Sequence, residues 1–167
     1  MQDLEKKLNV KREYSRLNEM IRQTSEVLEA LVQNQPSAMV LPYSRKTMYL
    51  CLVKRYDQKS ICYGVRWTKY RINPETGRKA WYKGWSPGKV PPATQNLLSP
   101  EDKQRFKEID SFAFEVSDLR HTLTSKKKRI IATFQNINQT DKPCMQEILE
   151  EIKALESCQP ESATEFF

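Results

Sequence analysis

Between Tyr43 and Val90 the chain sets twelve Lys and Arg against only Asp57 and Glu75, and threads Tyr49, Tyr56, Tyr63, Trp67, Tyr70, Trp81, Tyr82 and Trp85 among them. Cations attract phosphate whatever the sequence behind it, while aromatic rings stack on bases or wedge between them. Together they carry the chemistry of a polyanion-binding surface. The block has a net charge of +10 in a chain of +7, so the rest sums to −3 and the positive field is local. An ordinary solvated surface mixes its signs; this one does not.

Other chemistries lack their residues. Four glycines in 167 residues leave no glycine-rich cradle of the P-loop or dinucleotide type. Cys51, Cys62, Cys144 and Cys158 never reach C-x-x-C spacing, and a lone His121 completes no finger, so the thiols are expected to be reduced and free of metal. His121 beside Arg120 is the one partner available to a Ser or Cys nucleophile, and no motif surrounds it. Glu147, Glu150 and Glu151 fit a solvated helix face better than a metal site. The expectation is a chain with no catalytic residue, no cofactor and no metal ligand, and so not an enzyme. A second basic run, Lys126-Lys127-Lys128-Arg129, faces neutralisation by Asp3 and Glu5 in the arrangement below, and its contact with nucleic acid is an even choice.

The elements that must position the basic block are two long helices. From about Asp3 to Asn34, Val10, Tyr14, Leu17, Ile21, Thr24, Leu28 and Leu31 recur at spacings of four and three, a heptad seam. Ser99 as N-cap, Pro100 at the first helical position, and Glu101 with Asp102 opposing the dipole announce the second helix. Phe106, Ile109, Ala113, Val116, Leu123, Ile130, Phe134 and Ile137 carry its seam. At 1.5 Å per residue the helices span roughly 48 Å and roughly 60 Å. Neither thin stripe is stable alone, which favours an antiparallel hairpin, with Leu28 near Phe106, Ile21 near Ala113 and Val10 near Leu123; a parallel homodimer is the competing arrangement.

Between the helices the period drops to two. Thr47 to Tyr56, Ile61 to Ile72 and Lys79 to Trp85 read as three strands of an antiparallel meander, with turns at Asp57-Gln58-Lys59 and Asn73 to Gly77. On the second strand Ile61, Tyr63, Val65 and Trp67 share one face, and Cys62, Gly64, Arg66, Thr68 and Tyr70 the other. On the third, alternation puts Trp81 and Trp85 on one face with Lys79 and Lys83. Ser86 to Pro92 reads as a stiff extended connector, and a short acidic amphipathic helix is expected from Asp141 or Lys142 to about Ser157. The fold class is α+β: a coiled-coil-like helical hairpin with an inserted three-stranded meander and a short C-terminal helix. Its parts are 1–42 (helix and linker), 43–90 (meander), 91–138 (connector and second helix) and 139–167 (acidic helix and tail).

A three-stranded meander followed by a helix, with the run Tyr63-Gly64-Val65-Arg66-Trp67, resembles the DNA-binding modules of plant ethylene-response factors and the arm-binding domains of tyrosine recombinases. The resemblance is confined to 43–90 and brings no binding residue with it. From the residues themselves, Arg66, Lys69, Arg71, Arg78, Lys79 and Lys83 are expected to meet phosphates or base edges, and Tyr70, Trp81 and Tyr82 to stack or wedge. The partner is nucleic acid, with DNA slightly ahead of RNA because a β-ribbon suits the major groove of B-form DNA. The chain would act alone or as an accessory subunit of a larger nucleoprotein complex. The alternative is a coiled-coil adaptor that recruits proteins, or a second copy, through its helices. No apolar run of about eighteen residues and no signal-like N-terminus is present, so no membrane contact and a reducing compartment are expected, cytoplasmic or else nuclear or nucleoid.

Overall fold

Two apolar helical stripes and a set of period-two strands can be buried only against each other, and one core does this. The computed structural model describes residues 2–35, 37–56, 62–137 and 150. In chain order the elements are α1 (Gln2–Asn34), β1 (Met39–Tyr43), β2 (Lys46–Tyr56), β3 (Cys62–Ile72), β4 (Lys79–Trp81), a single-turn α2 (Pro92–Gln95) and α3 (Pro100–Ile137). The chain divides into two compact units, Met1–Ser125 and Lys126–Phe167. Of the second unit, the described residues are 126–137, which continue α3, and Glu150; Lys126, Lys128 and Arg129 are exposed. The expected C-terminal helix and the Asp57-Gln58-Lys59 turn lie outside the described residues.

The sheet is antiparallel throughout and ordered β1-β2-β3-β4, which corrects the expected three-stranded meander to four strands. The added strand, β1, falls in the stretch read as linker. It is short and contains Pro42, a residue that argues against a strand interior. Here β1 is an edge strand, where a missing backbone N–H is tolerated, and it pairs with β2 from Met39 opposite Leu50 to Tyr43 opposite Lys46.

Strand alternation assigns the two faces. Met39 and Leu41 of β1, Met48, Leu50 and Leu52 of β2, and Val65 and Trp67 of β3 are buried in one cluster with Leu28 of α1 and Phe106 and Ala113 of α3. The sheet is therefore built into the helical core rather than carried at its end. Both seams point inward as their spacing requires: Tyr14, Leu17, Thr24 and Leu28 are buried on α1, and Phe106, Ala113 and Leu123 on α3.

Trp67 is the keystone. It is fully buried, its ring packs on Phe106 at 4.8 Å, and its Nε1 donates to Asp110 Oδ1 at 2.8 Å. Without that acceptor the buried indole N–H would cost about 1–3 kcal/mol. The same oxygen accepts the backbone N–H of Gly88 at 2.9 Å, so one carboxylate ties sheet, connector and helix together. Gln35, just past α1, both donates to Leu52 O and accepts from Leu52 N, and Glu29 lies 4.0 Å from Lys54. α3 starts at the anticipated cap, where Ser99 Oγ accepts the Asp102 N–H at 3.1 Å. The connector is not wholly extended: α2 interrupts it and buries Thr94, with Val90 and Leu98 in the core on either side.

Candidate nucleic-acid interface

The β3–β4 turn is fixed by its own side chains. Asn73 Oδ1 accepts the N–H groups of Glu75 at 2.8 Å and Thr76 at 3.3 Å, and the Asn73 N–H donates to Arg78 O at 2.9 Å. Gly77 takes the positive φ of 66° that closing this turn requires. Arg78 and Lys79 follow, both exposed. At the same end of the sheet the Ser44-Arg45 turn joins β1 to β2. Arg45, Lys46, Arg71, Arg78 and Lys79 are thus gathered at one end, all exposed, with Glu75 as the carboxylate among them. A shallow cleft of about 470 Å³ lies between the two turns, lined by Lys46, Thr47, Tyr49, Arg71, Asn73 and Glu75 among others.

On the face turned away from the core, rings form a ladder across three strands. Tyr49 of β2 is opposite Tyr70 of β3, and Tyr70 opposite Trp81 of β4. Tyr49 and Tyr70 stack at 5.2 Å and 22°, and Tyr70 meets Trp81 at 4.9 Å and 50°. Lys79 Nζ sits 4.6 Å from the Tyr70 ring centroid and 5.7 Å from that of Trp81, within cation–π range of both. Tyr70 is consequently only 7% exposed, whereas Trp81, on the edge strand, is 52% exposed. Burial, and after it the neighbouring Cys51 and Tyr49, push the Tyr70 phenol up from its ordinary value. Burial likewise pushes the Cys51 thiol up, opposed by the charge of Lys79. Both groups stay neutral at physiological pH, so no anion forms on this face to cancel the cations.

The residues singled out in the sequence separate by face. Arg66, Tyr70, Lys79 and Trp81 lie on the outer face, and Arg66 is exposed there opposite Val53. Lys69 lies on the core side. Its Nζ is 5.5 Å from the Tyr43 ring and 5.2 Å from the Trp85 ring and donates to Tyr43 Oη at 3.2 Å, so packing holds it. Arg71, opposite Ala80, shares that side but is exposed at the turn end. Tyr82 is 37% exposed and points away from Trp81, with Lys46 Nζ 5.9 Å from its ring. Lys83 is exposed just past β4. Tyr70, enclosed by its neighbours, has no free ring face for a base, which corrects its expected stacking role to one of positioning Trp81 and Lys79.

Simple alternation also fails for Trp85. Tyr82 N donates to Lys69 O, and Trp85 exchanges both backbone hydrogen bonds with Trp67, so three steps on one side span two on the other. The extra residue is a β-bulge. It turns Trp85 to the core side opposite Trp67, while Trp81 stays outside. Gly84 makes the bulge feasible, because a Cβ there would lie 2.2 Å from Trp67 O. Arg45, Lys46 and Tyr49 were missed as site residues because β1 was missed; the Ser44-Arg45 turn between two β-forming runs was the available signal.

No protein-family model, curated protein or solved structure matches the chain. Among the described residues no cluster of His, Cys, Asp and Glu could hold a metal ion, and no helix is long and apolar enough to cross a membrane.

Proposed function

We propose that this chain is a non-enzymatic nucleic-acid-binding protein, acting alone or as an accessory subunit of a larger nucleoprotein complex. The observation that carries this reading is the gathering of Arg45, Lys46, Arg71, Arg78 and Lys79 at one end of the sheet, contiguous with an outer face that bears Arg66 and the exposed Trp81. Cations at that end supply the phosphate attraction, and the ring supplies a contact with bases. Its place of action would be wherever the polymer is, in cytoplasm, nucleus or nucleoid. The helices serve as the frame, and we take them to pair antiparallel within one chain. Supporting this, Arg120 Nε donates to Ser25 Oγ at 3.0 Å while Arg105 Nη2 reaches Ser37 O at 3.5 Å.

The test is the double variant Arg78→Glu/Lys79→Glu, with binding to DNA and RNA followed across a salt series. The expected result is loss of binding with an unchanged melting temperature, because both side chains are exposed and touch no core residue. Wild-type binding at every salt concentration would remove the sheet from consideration. A second reading, a coiled-coil adaptor that recruits proteins, draws on Phe112 and Leu119, seven residues apart on α3 and 46% and 48% exposed. An apolar contact of that kind would be much less sensitive to salt than phosphate binding.

A further inference from the structure

Resting on the nucleic-acid reading, we infer that the polymer this sheet takes is single-stranded, and that Trp81 stacks an unpaired base while Lys79 meets its phosphate. The first ground is shape. A β-ribbon reads the major groove only if it can enter alone, and β3–β4 cannot. Tyr49 faces Tyr70, so Lys46 and Ile72, the last strand residues before the two turns, end within one residue of each other along the strands. The β1–β2 turn therefore stands level beside the β3–β4 turn. Four strands at about 4.8 Å spacing are about 14 Å across between outer axes before side chains are added, against a major groove about 12 Å wide.

The second ground is which ring surfaces remain open. Tyr70 is enclosed between Tyr49 and Trp81 and beneath Lys79, so the ladder ends at Trp81. β4 is the edge strand, and no further strand covers the other side of the Trp81 indole. Bases inside a duplex have both faces stacked and offer nothing to such a ring, whereas an unpaired base does. The cation beside the ring completes the nucleotide: Lys79 Nζ is 5.7 Å from the Trp81 centroid. Arg66 lies on the same face about 13 Å farther along β3 from Tyr70, in line for a strand laid along the sheet. Tyr82 points the other way and has no part in the stack.

One mixed sequence of about sixteen nucleotides, labelled with fluorescein, is titrated as single-stranded DNA, as the corresponding RNA and as DNA duplex, with wild type, Trp81→Ala, Trp81→Phe and Tyr82→Ala. The single strands are expected to bind at least about tenfold more tightly than the duplex and to quench indole emission. Trp81→Ala should lower single-strand affinity by about five- to 150-fold, the range that one base stack is worth, and leave duplex binding unchanged. Trp81→Phe should retain most of the affinity but lose the quench, because Trp67 and Trp85 belong to the core, and Tyr82→Ala should do neither. Duplex binding equal to or tighter than single-strand binding overturns the inference while leaving the nucleic-acid reading standing. So does a quench that survives Trp81→Phe. Absence of binding in all three forms overturns both.

Discussion

The two faces of one sheet are made from alternate residues of the same three strands, yet they are chemically opposite. Inward, Met48, Leu50, Leu52, Val65 and Trp67 close a core with both helices; outward, Tyr49, Cys51, Arg66, Tyr70, Lys79 and Trp81 meet no helix. Lys69 shows how far the division reaches. It is a cation in the middle of the basic block, but its face gives it rings and a phenol oxygen as partners instead of solvent. Charge along the chain marks the region that binds; the side of the strand decides which cations are available to bind.

The strongest way to break the comparison is to cut a side chain from each face. Trp67→Ala removes the keystone and orphans Asp110, and should cost about 3–5 kcal/mol of stability in chemical denaturation. The outward pair Arg78→Glu/Lys79→Glu should leave stability within about 0.5 kcal/mol of wild type. Equal losses of stability from the two variants would mean that the outer face is structural too. Gly84→Ala probes the joint between the faces. Its Cβ would collide with Trp67 O, so a melting temperature lower by several degrees is expected, with a change in Trp85 emission as the strand is displaced.

Lys69→Met sharpens the contrast more finely. Loss of the cation over Tyr43 and Trp85 should cost about 0.5–2 kcal/mol of stability while nucleic-acid affinity changes less than twofold. A large affinity loss at unchanged stability would place Lys69 with the outer cations. The smallest effect is alkaline. Cys51 and Tyr70 are both raised in the folded protein, so each favours the folded state fully below its unfolded value and loses that contribution as pH rises through its folded one. The thiol titrates first, from a reference of 9.0, ahead of the phenol at 10.0. The melting temperature should fall as pH rises past 9, and Cys51→Ala should flatten the first part of that fall.

What could be read locally was read. The Ser99 cap and Pro100 marked the start of α3, the seams marked the buried faces of both helices, and alternation divided β3 correctly into Val65 and Trp67 against Arg66 and Tyr70. What depended on register was not legible. Tyr70 reads as an outward ring and is one, yet its burial comes from Tyr49 and Trp81, residues that only strand pairing brings beside it. β1 was hidden because one proline in five residues argues against a strand until its edge position is known. Trp85 went to the wrong face because a bulge has no signature beyond a glycine, and Gly84 alone does not say which residue it is extra to.

That bulge is a phase shift in a two-beat pattern. Upstream of Lys83 the odd-numbered aromatic of β4 falls on the solvent beat; downstream, Trp85, also odd-numbered, falls on the core beat and delivers the chain to the Gly88 contact with Asp110. Removing one residue there would put the strand back in step and reverse every assignment after it: the indole of Trp85 would turn to the outside beside that of Trp81, and the connector would reach α3 on the wrong half of the cycle. A substitution at this point costs packing, but a deletion changes which side of the protein the following chain belongs to.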